Sequence, residues 1–188
     1  MSKSDFRIFR TGCLLLLIFL LSGCTKQDKP SGLSDPVIDA SAVVNLYEGE
    51  DRIEAVLYFA DQEMTCLKAE KRAISMPLTE SFPVCLVNAL MQGPSSNNLS
   101  GILPETGTVL SAQIRDGICF LDLAEDCFET YIGTDLQEKL VVFSIVNTIT
   151  QLPAVDQVQI LKNGEKCTYY YASVRIDEPL AAQSELIQ

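Results

Sequence analysis

Four acidic side chains, Asp122, Glu125, Asp126 and Glu129, fall within eight consecutive positions and offer the oxygen donors that a calcium ion takes. Two carboxylates of such a group could also act as the acid and base of a glycosidase working on wall polysaccharide. Both readings meet objections in the sequence itself. The run lacks the glycine and the alternating spacing of a calcium-binding helix–loop–helix, and it lies where a helix could start, a place that favours acids. Carboxylate pairs arise by chance among 25 acids, and there is no Trp to stack a sugar ring. The sequence therefore favours a solvated acidic face. The chain also contains no histidine, which excludes a Ser-His-Asp triad, a Cys-His pair and any His-ligated zinc. Catalysis would have to rest on carboxylates, Lys, Tyr or Cys, and the balance tilts towards a non-enzyme. With 14 basic against 25 acidic residues, the net charge of −11 argues against a nucleic-acid binder.

Cysteine and tyrosine are the other reactive types. Past residue 24 the cysteines are Cys66, Cys85, Cys119, Cys127 and Cys167, and no C-x-x-C spacing occurs among them, so neither a zinc site nor a redox pair is supported. Five is an odd number, so at least one thiol stays free or pairs between chains. Cys85 and Cys119 lie in apolar segments and read as buried small hydrophobes. Tyr169, Tyr170 and Tyr171 form a run in an expected strand, where alternate rings point to opposite faces, one into the core and one outwards as an interface anchor. Asn147 and Thr148 interrupt an apolar helix, where such residues satisfy local backbone groups more often than they bind ligands.

The beginning of the chain reads as an address. Lys3, Arg7 and Arg10 precede the apolar run Cys13–Leu21, far short of the roughly 20 residues needed to span a bilayer. The run closes in Leu21-Ser22-Gly23-Cys24, which looks like a bacterial lipobox, with Cys24 as the lipid attachment site. The expectation is a signal peptide over 1–23, a lipidated flexible linker over 24–50, a folded domain over 51–176 and a loose tail over 177–188. Processing would leave 11 basic and 24 acidic residues, a net charge of −13 that acidic lipids repel. The acyl chains must then hold the protein to the extracytoplasmic face of the cell membrane.

Hydrophobic patterning supplies the elements. Strands are expected over 52–59 and 65–74, followed by a helix whose Val84, Val87, Leu90 and Met91 share a face and which ends at Gly93-Pro94. Two strands flank the Asp116-Gly117 turn. A second helix begins at Thr134, spaced from Gln137 as in a capping box, and carries the stripe Leu136, Leu140, Phe143, Val146 and Ile149 up to Pro153. A last core strand covers 155–161, and 167–176 is expected to pair back across Asn163-Gly164. The order predicts an α+β domain, a single two-layer unit with two helices packed on a mostly antiparallel sheet.

These segments together resemble the GerMN domain of sporulation and spore germination proteins. The resemblance rests on Val56 to Asp61, Leu67 to Arg72, Ala89-Leu90-Met91-Gln92-Gly93-Pro94, Leu103 to Ser111, Asp116 to Leu123 and, most specifically, the block from Val146 to Gly164. It implies a fold similar to ring-building modules and a non-catalytic envelope role, with no catalytic, cofactor or metal residues. The implied partners are other cell-envelope or sporulation proteins, with self-association among the contacts. A ligand-sensing or regulatory lipoprotein is the alternative. The germination proteins that name the family carry two copies in tandem, whereas this chain has room for one. The five cysteines and the aromatic strand also depart from the family pattern.

Overall fold

The computed structural model describes residues 52–128 and 133–188. The signal peptide, the lipobox with Cys24, the linker and Glu129 lie outside the described residues.

Strand β1 (Arg52–Asp61) buries Ala55, Leu57 and Phe59 on one face and pairs antiparallel with β2 (Leu67–Ser75), Arg52 opposite Ser75 and Ala60 opposite Leu67. The tight connection is held by the Asp61 carboxylate, which accepts from the Thr65 N–H and hydroxyl at 2.7 Å each and from the Cys66 N–H at 3.2 Å. Helix α1 (Phe82–Met91) follows, with Pro83 in its first turn, where a missing N–H costs nothing. It stops as its sequence predicts: Gly93 takes a left-handed φ of +76° and its N–H reaches the Leu90 carbonyl at 3.0 Å. Arg72 of β2 donates to the Ala89 and Gly93 carbonyls, while its partner Glu70 accepts from the Ser95 and Ser96 N–H groups. The end of α1 is thereby bolted to the sheet. Short β3 (Leu99–Ser100) then pairs with the end of β1.

The second sheet opens with the hairpin β4 (Val109–Arg115) and β5 (Ile118–Leu123). Asp116 and Gly117 both have positive φ, the turn that matches the twist of paired strands. A 3₁₀ turn (Glu125–Phe128) leads towards α2 (Asp135–Ile149), then β6 (Gln157–Lys162), β7 (Leu180–Ala181) and a 3₁₀ turn (Ser184–Leu186). The Thr134 hydroxyl accepts from the Gln137 N–H at 3.2 Å, as the spacing requires, while the Gln137 amide accepts from Gly133, one residue before the cap.

The α+β class holds: the described residues form two helices and two mostly antiparallel sheets, ordered β2-β1-β3 and β4-β5-β6-β7. One pair departs from the antiparallel rule. β5 and β6 run parallel, because the chain between them passes through a helix instead of a tight turn. Helix α2 packs against α1, β1, β6 and β7, and residues 140–149 are all buried. The expected single stripe is thus too narrow for a helix covered on several sides, and its first member, Leu136, remains 39% exposed. No helix among the described residues is long and apolar enough to cross a membrane.

Two expectations fail at the end of the chain. Residues 167–176 do not pair back on β6 as a hairpin arm; Lys162 and Glu165 close a tight turn, and the place beside β6 goes to β7. Residues 177–188 are not a loose tail either. Leu180 and Ala181 pair with Val158 and Gln157, the Gln183 backbone exchanges two hydrogen bonds with the Asn147 side chain, and the Gln188 N–H donates to the Leu67 carbonyl at 3.0 Å. Backbone pairing holds the segment together with Leu180, Leu186 and Ile187, which are partly buried against the core.

Candidate functional site

The departure at 167–176 has one main cause, the carboxylate of Glu138. It lies in the first turns of α2, only 1% exposed, and accepts from four successive backbone N–H groups and one hydroxyl. Oε1 receives Tyr171, Ala172 and Val174 at 2.9, 3.1 and 3.0 Å; Oε2 receives the Ser173 N–H at 2.8 Å and its hydroxyl at 2.7 Å. Burial raises the pKa of a carboxyl, but these donors outweigh it and hold Glu138 at about 2. A chain curled around one anion cannot also form a strand ladder.

The curl fixes the tyrosine run. Tyr170 points inward, its ring 4.8 Å from that of Phe128 and its hydroxyl donating to the Cys127 carbonyl at 2.8 Å; burial pushes its pKa up. Tyr169 and Tyr171 point outwards, 45% and 55% exposed. The expected alternation therefore survives although the strand does not. Two amphipathic rings stand on a loop whose backbone is tied by one buried anion. Such a loop has little ordering entropy left to lose when it meets a partner.

The acidic cluster is dispersed among separate partners. Asp122 accepts from the Gly164 N–H at 2.7 Å, Glu125 pairs with Lys162 at 2.6 Å, and Asp126 accepts from the Thr108 N–H and hydroxyl at 3.1 and 3.0 Å. These acids clamp turns, rather than merely facing solvent as the sequence suggested. Among the described residues, no three His, Cys, Asp or Glu side chains converge as a metal site needs.

All five domain cysteines are free thiols. Cys85 and Cys119 are buried, as expected, and so are Cys66 and Cys127, while Cys167 is partly exposed. Burial pushes both Cys119 and Cys127 up to about 11, so neither supplies thiolate near neutral pH.

The polar residues of α2, with Gln151 just past its end, serve the first sheet and the chain end. Ser144 donates to the Tyr58 carbonyl at 2.6 Å, the Tyr58 N–H donates to Thr148 at 3.2 Å, and Gln151 donates to the Val56 carbonyl at 2.8 Å. The backbone groups that Asn147 and Thr148 satisfy, at Gln183 and Tyr58, lie far away in the chain and are not the local ones expected. Glu138 was missed altogether, since an acid in a first helical turn is what any helix start attracts.

Two concavities border the first sheet. A polar cleft of about 330 Å³ between β2 and α1 is lined by Arg72, Glu80, Cys85, Asn88 and Gln92 among others. A groove of about 220 Å³ runs beside the start of β1, lined by Phe82, Leu86, Leu152 and Pro153.

The profile of a family described as sporulation and spore germination (Germane) matches residues 56–168. No curated protein matches the chain. Among solved structures, a candidate lipoprotein from Clostridium perfringens is 27% identical with a TM-score of 0.51, covering 71% of this chain and 89% of that one. The first GerMN domain of the sporulation protein GerM from Bacillus subtilis is 22% identical with a TM-score of 0.55, covering 69% of this chain and 97% of that one. The tandem GerMN domains of the same protein give 22% identity and a TM-score of 0.59, covering 70% of this chain but only 46% of that one.

Proposed function

The chain belongs to the sporulation and spore germination family, and from that premise we propose that it is a non-catalytic envelope lipoprotein acting in sporulation or germination through protein–protein contacts. Its anchor in this reading is Cys24, which holds the domain on the extracytoplasmic face of the cell membrane. The candidate lipoprotein from Clostridium perfringens supports that placement. The observation that carries the assembly role is the pair Tyr169 and Tyr171, exposed on a loop fixed by Glu138. Aromatic side chains on a pre-set backbone are the usual anchors of protein interfaces. A photo-crosslinking residue at position 171, in membranes of sporulating and vegetative cells, tests the reading. Capture of an envelope or sporulation protein, or of a second copy of the chain, is expected. A strictly monomeric protein that captures nothing in either membrane overturns it.

A second reading, a ligand-sensing lipoprotein, draws on the cleft between β2 and α1, where Arg72, Glu80, Asn88 and Gln92 set polar groups around about 330 Å³. It predicts a thermal shift with a wall-derived or metabolic ligand that is lost in Gln92→Ala. A flat screen removes it.

A further inference from the structure

Asn163-Gly164 is the one Asn-Gly pair in the chain. Glycine has no side chain to shield its nitrogen, so the carboxamide of the Asn before it is within reach of that main-chain amide. The pair sits at the tip of the turn after β6, both residues exposed. Both have positive φ, +49° and +80°, as a two-residue hairpin turn requires. Lys162 and Glu165 close the turn with two main-chain hydrogen bonds of 2.8 and 3.1 Å. The N–H groups inside it are held as well, and by β5. Asn163 donates to the Leu123 carbonyl at 2.9 Å, and Gly164 donates to Asp122 Oδ1 at 2.7 Å.

We propose that Asn163 is a self-modification site, converting to aspartate and isoaspartate, and that the Asp122 carboxylate holds it shut in the folded domain. In the reaction the Gly164 nitrogen gives its proton to solvent and bonds to Asn163 Cγ. The Cγ–Nδ2 bond breaks, and that nitrogen takes up a proton and leaves as ammonia. Water then opens the five-membered imide at either carbonyl. One route restores the main chain as aspartate, and the other leads it through the side chain as isoaspartate. The balance is one water in and one ammonia out, with no change of oxidation state. The new N–Cγ bond takes the direction of the N–H bond, and Asp122 Oδ1 fills that direction. Ring closure also needs Cβ and the Gly164 nitrogen on the same side of the Cα–C bond, whereas a left-handed residue sets them nearly opposite. A carboxylate 2.7 Å from the nitrogen also disfavours the amide anion that attacks. Each obstacle goes when the turn opens, so the rate follows the open fraction.

The product matters to the fold. Either form puts a second carboxylate beside Asp122, at the end of the parallel pair where Leu123 meets Lys162. Isoaspartate also lengthens the main chain between β6 and the segment that carries Tyr169 and Tyr171. Conversion thus leaves an irreversible record of each opening that reaches it. Any effect on partners rests on the assembly role proposed above; the reaction does not.

Peptide mass mapping of the full chain at 37 °C and pH 8, with the two acidic products separated by chromatography, follows Asn163 directly. Conversion in the folded, unaltered chain is expected to run at least about tenfold slower than in the same chain in urea. Asp122→Ala is expected to raise the folded rate at least about tenfold, the size of a lost hydrogen bond to a charged group. Asp122→Asn keeps an acceptor without the charge and falls between. Asp126→Ala loosens a different turn, at Thr108, and keeps the slow rate. Amide exchange in β5 and β6 reports that each variant is folded. Equal rates in the folded and denatured unaltered chain overturn the lock, and no conversion in urea overturns the site. Rates in both Asp122 variants at or below that of the unaltered chain overturn the part given to Asp122. So does an equal acceleration by Asp126→Ala, which assigns the rise to general loosening.

Discussion

Glu138 shows how one side chain can decide the course of a segment more than thirty residues away. Its carboxylate is worth most when ionised, because every partner is a donor and a protonated oxygen can accept fewer of them. The pKa falls from an ordinary 4.5 to about 2 on folding, and that of Asp61 falls from 3.8 to about 2. A group whose pKa is depressed in the folded state contributes stability above its unfolded pKa and loses it as pH falls through the folded one. The acid arm of stability should therefore decline from about pH 4.5 towards 2, with Glu138 and Asp61 acting in the same direction. Glu138→Gln keeps the shape but puts an NH₂ where an acceptor stood. It should cost about 2–4 kcal/mol at neutral pH, since several buried donors lose a charged partner. It should also flatten the acid arm. Urea unfolding of both proteins between pH 7 and 3 measures this, and an equally steep decline in the variant contradicts it. The thiols follow the same logic of burial. Maleimide at pH 7.5 should label Cys167 in the folded protein and reach the other four cysteines only in denaturant. Early labelling of Cys119 or Cys127 would show that their elements open far below the global unfolding limit.

At the scale of elements, α2 acts as both core and strand partner. Its apolar residues fill the space between the sheets while its Ser144 and Thr148, with Gln151 just past its end, stand in for a strand along β1. Ser144→Ala with Thr148→Ala leaves the Tyr58 N–H and C=O without partners, each worth about 1–3 kcal/mol when buried. Denaturant unfolding should place the double variant about 2–4 kcal/mol below the parent, with added self-association through the exposed edge. A change under half a kcal/mol would mean that water replaces both hydroxyls. The helices and the β4–β5 hairpin were legible because their signals are local: apolar spacing, a Thr cap, Gly-Pro after α1, and Asp-Gly between two strands. The hairpin is also tightly specified. Gly117 has φ +77°, and a Cβ there would lie 2.5 Å from the Asp156 carboxylate, so Gly117→Ala meets strain and a clash together. What stayed illegible depends on partners distant in sequence. The parallel pairing of β5 with β6, the curl around Glu138 and the division into two sheets are settled by packing that no short window contains. The same holds for function. The acidic run read as a solvated face and is three separate clamps, while the carboxylate that sets the exposed tyrosines carried no mark.

For the molecule as a whole, the final segment is the closing strap. Between Leu180 and Gln188 the chain pairs with β6 of one sheet, bonds to Asn147 of α2, and reaches Leu67 at the start of β2 in the other. Few residues of a domain touch both sheets and the helix between them. Asn147 is the middle of this strap, 2% exposed, donating to the Gln183 carbonyl at 3.1 Å and accepting its N–H at 2.9 Å. Only a side-chain amide offers a donor and an acceptor spaced to copy a strand partner, which accounts for a polar residue in so apolar a helix. Removing it leaves two backbone groups unpaired next to the core. Asn147→Ala should cost about 1–3 kcal/mol, whereas Asn147→Asp keeps the acceptor, loses the donor and buries a charge, and should cost more. The strap should then open before the rest, with amides of Leu180 to Gln188 exchanging at a rate set by local opening rather than by global unfolding. Ending the chain after Glu178 is the stronger test of the same idea. It removes the contacts to β6, α2 and β2 together, so the unfolding midpoint should fall further than in Asn147→Ala. An unchanged midpoint in the shortened chain would show that the two sheets hold together without the strap, and that the last residues are fastened to the domain without fastening it.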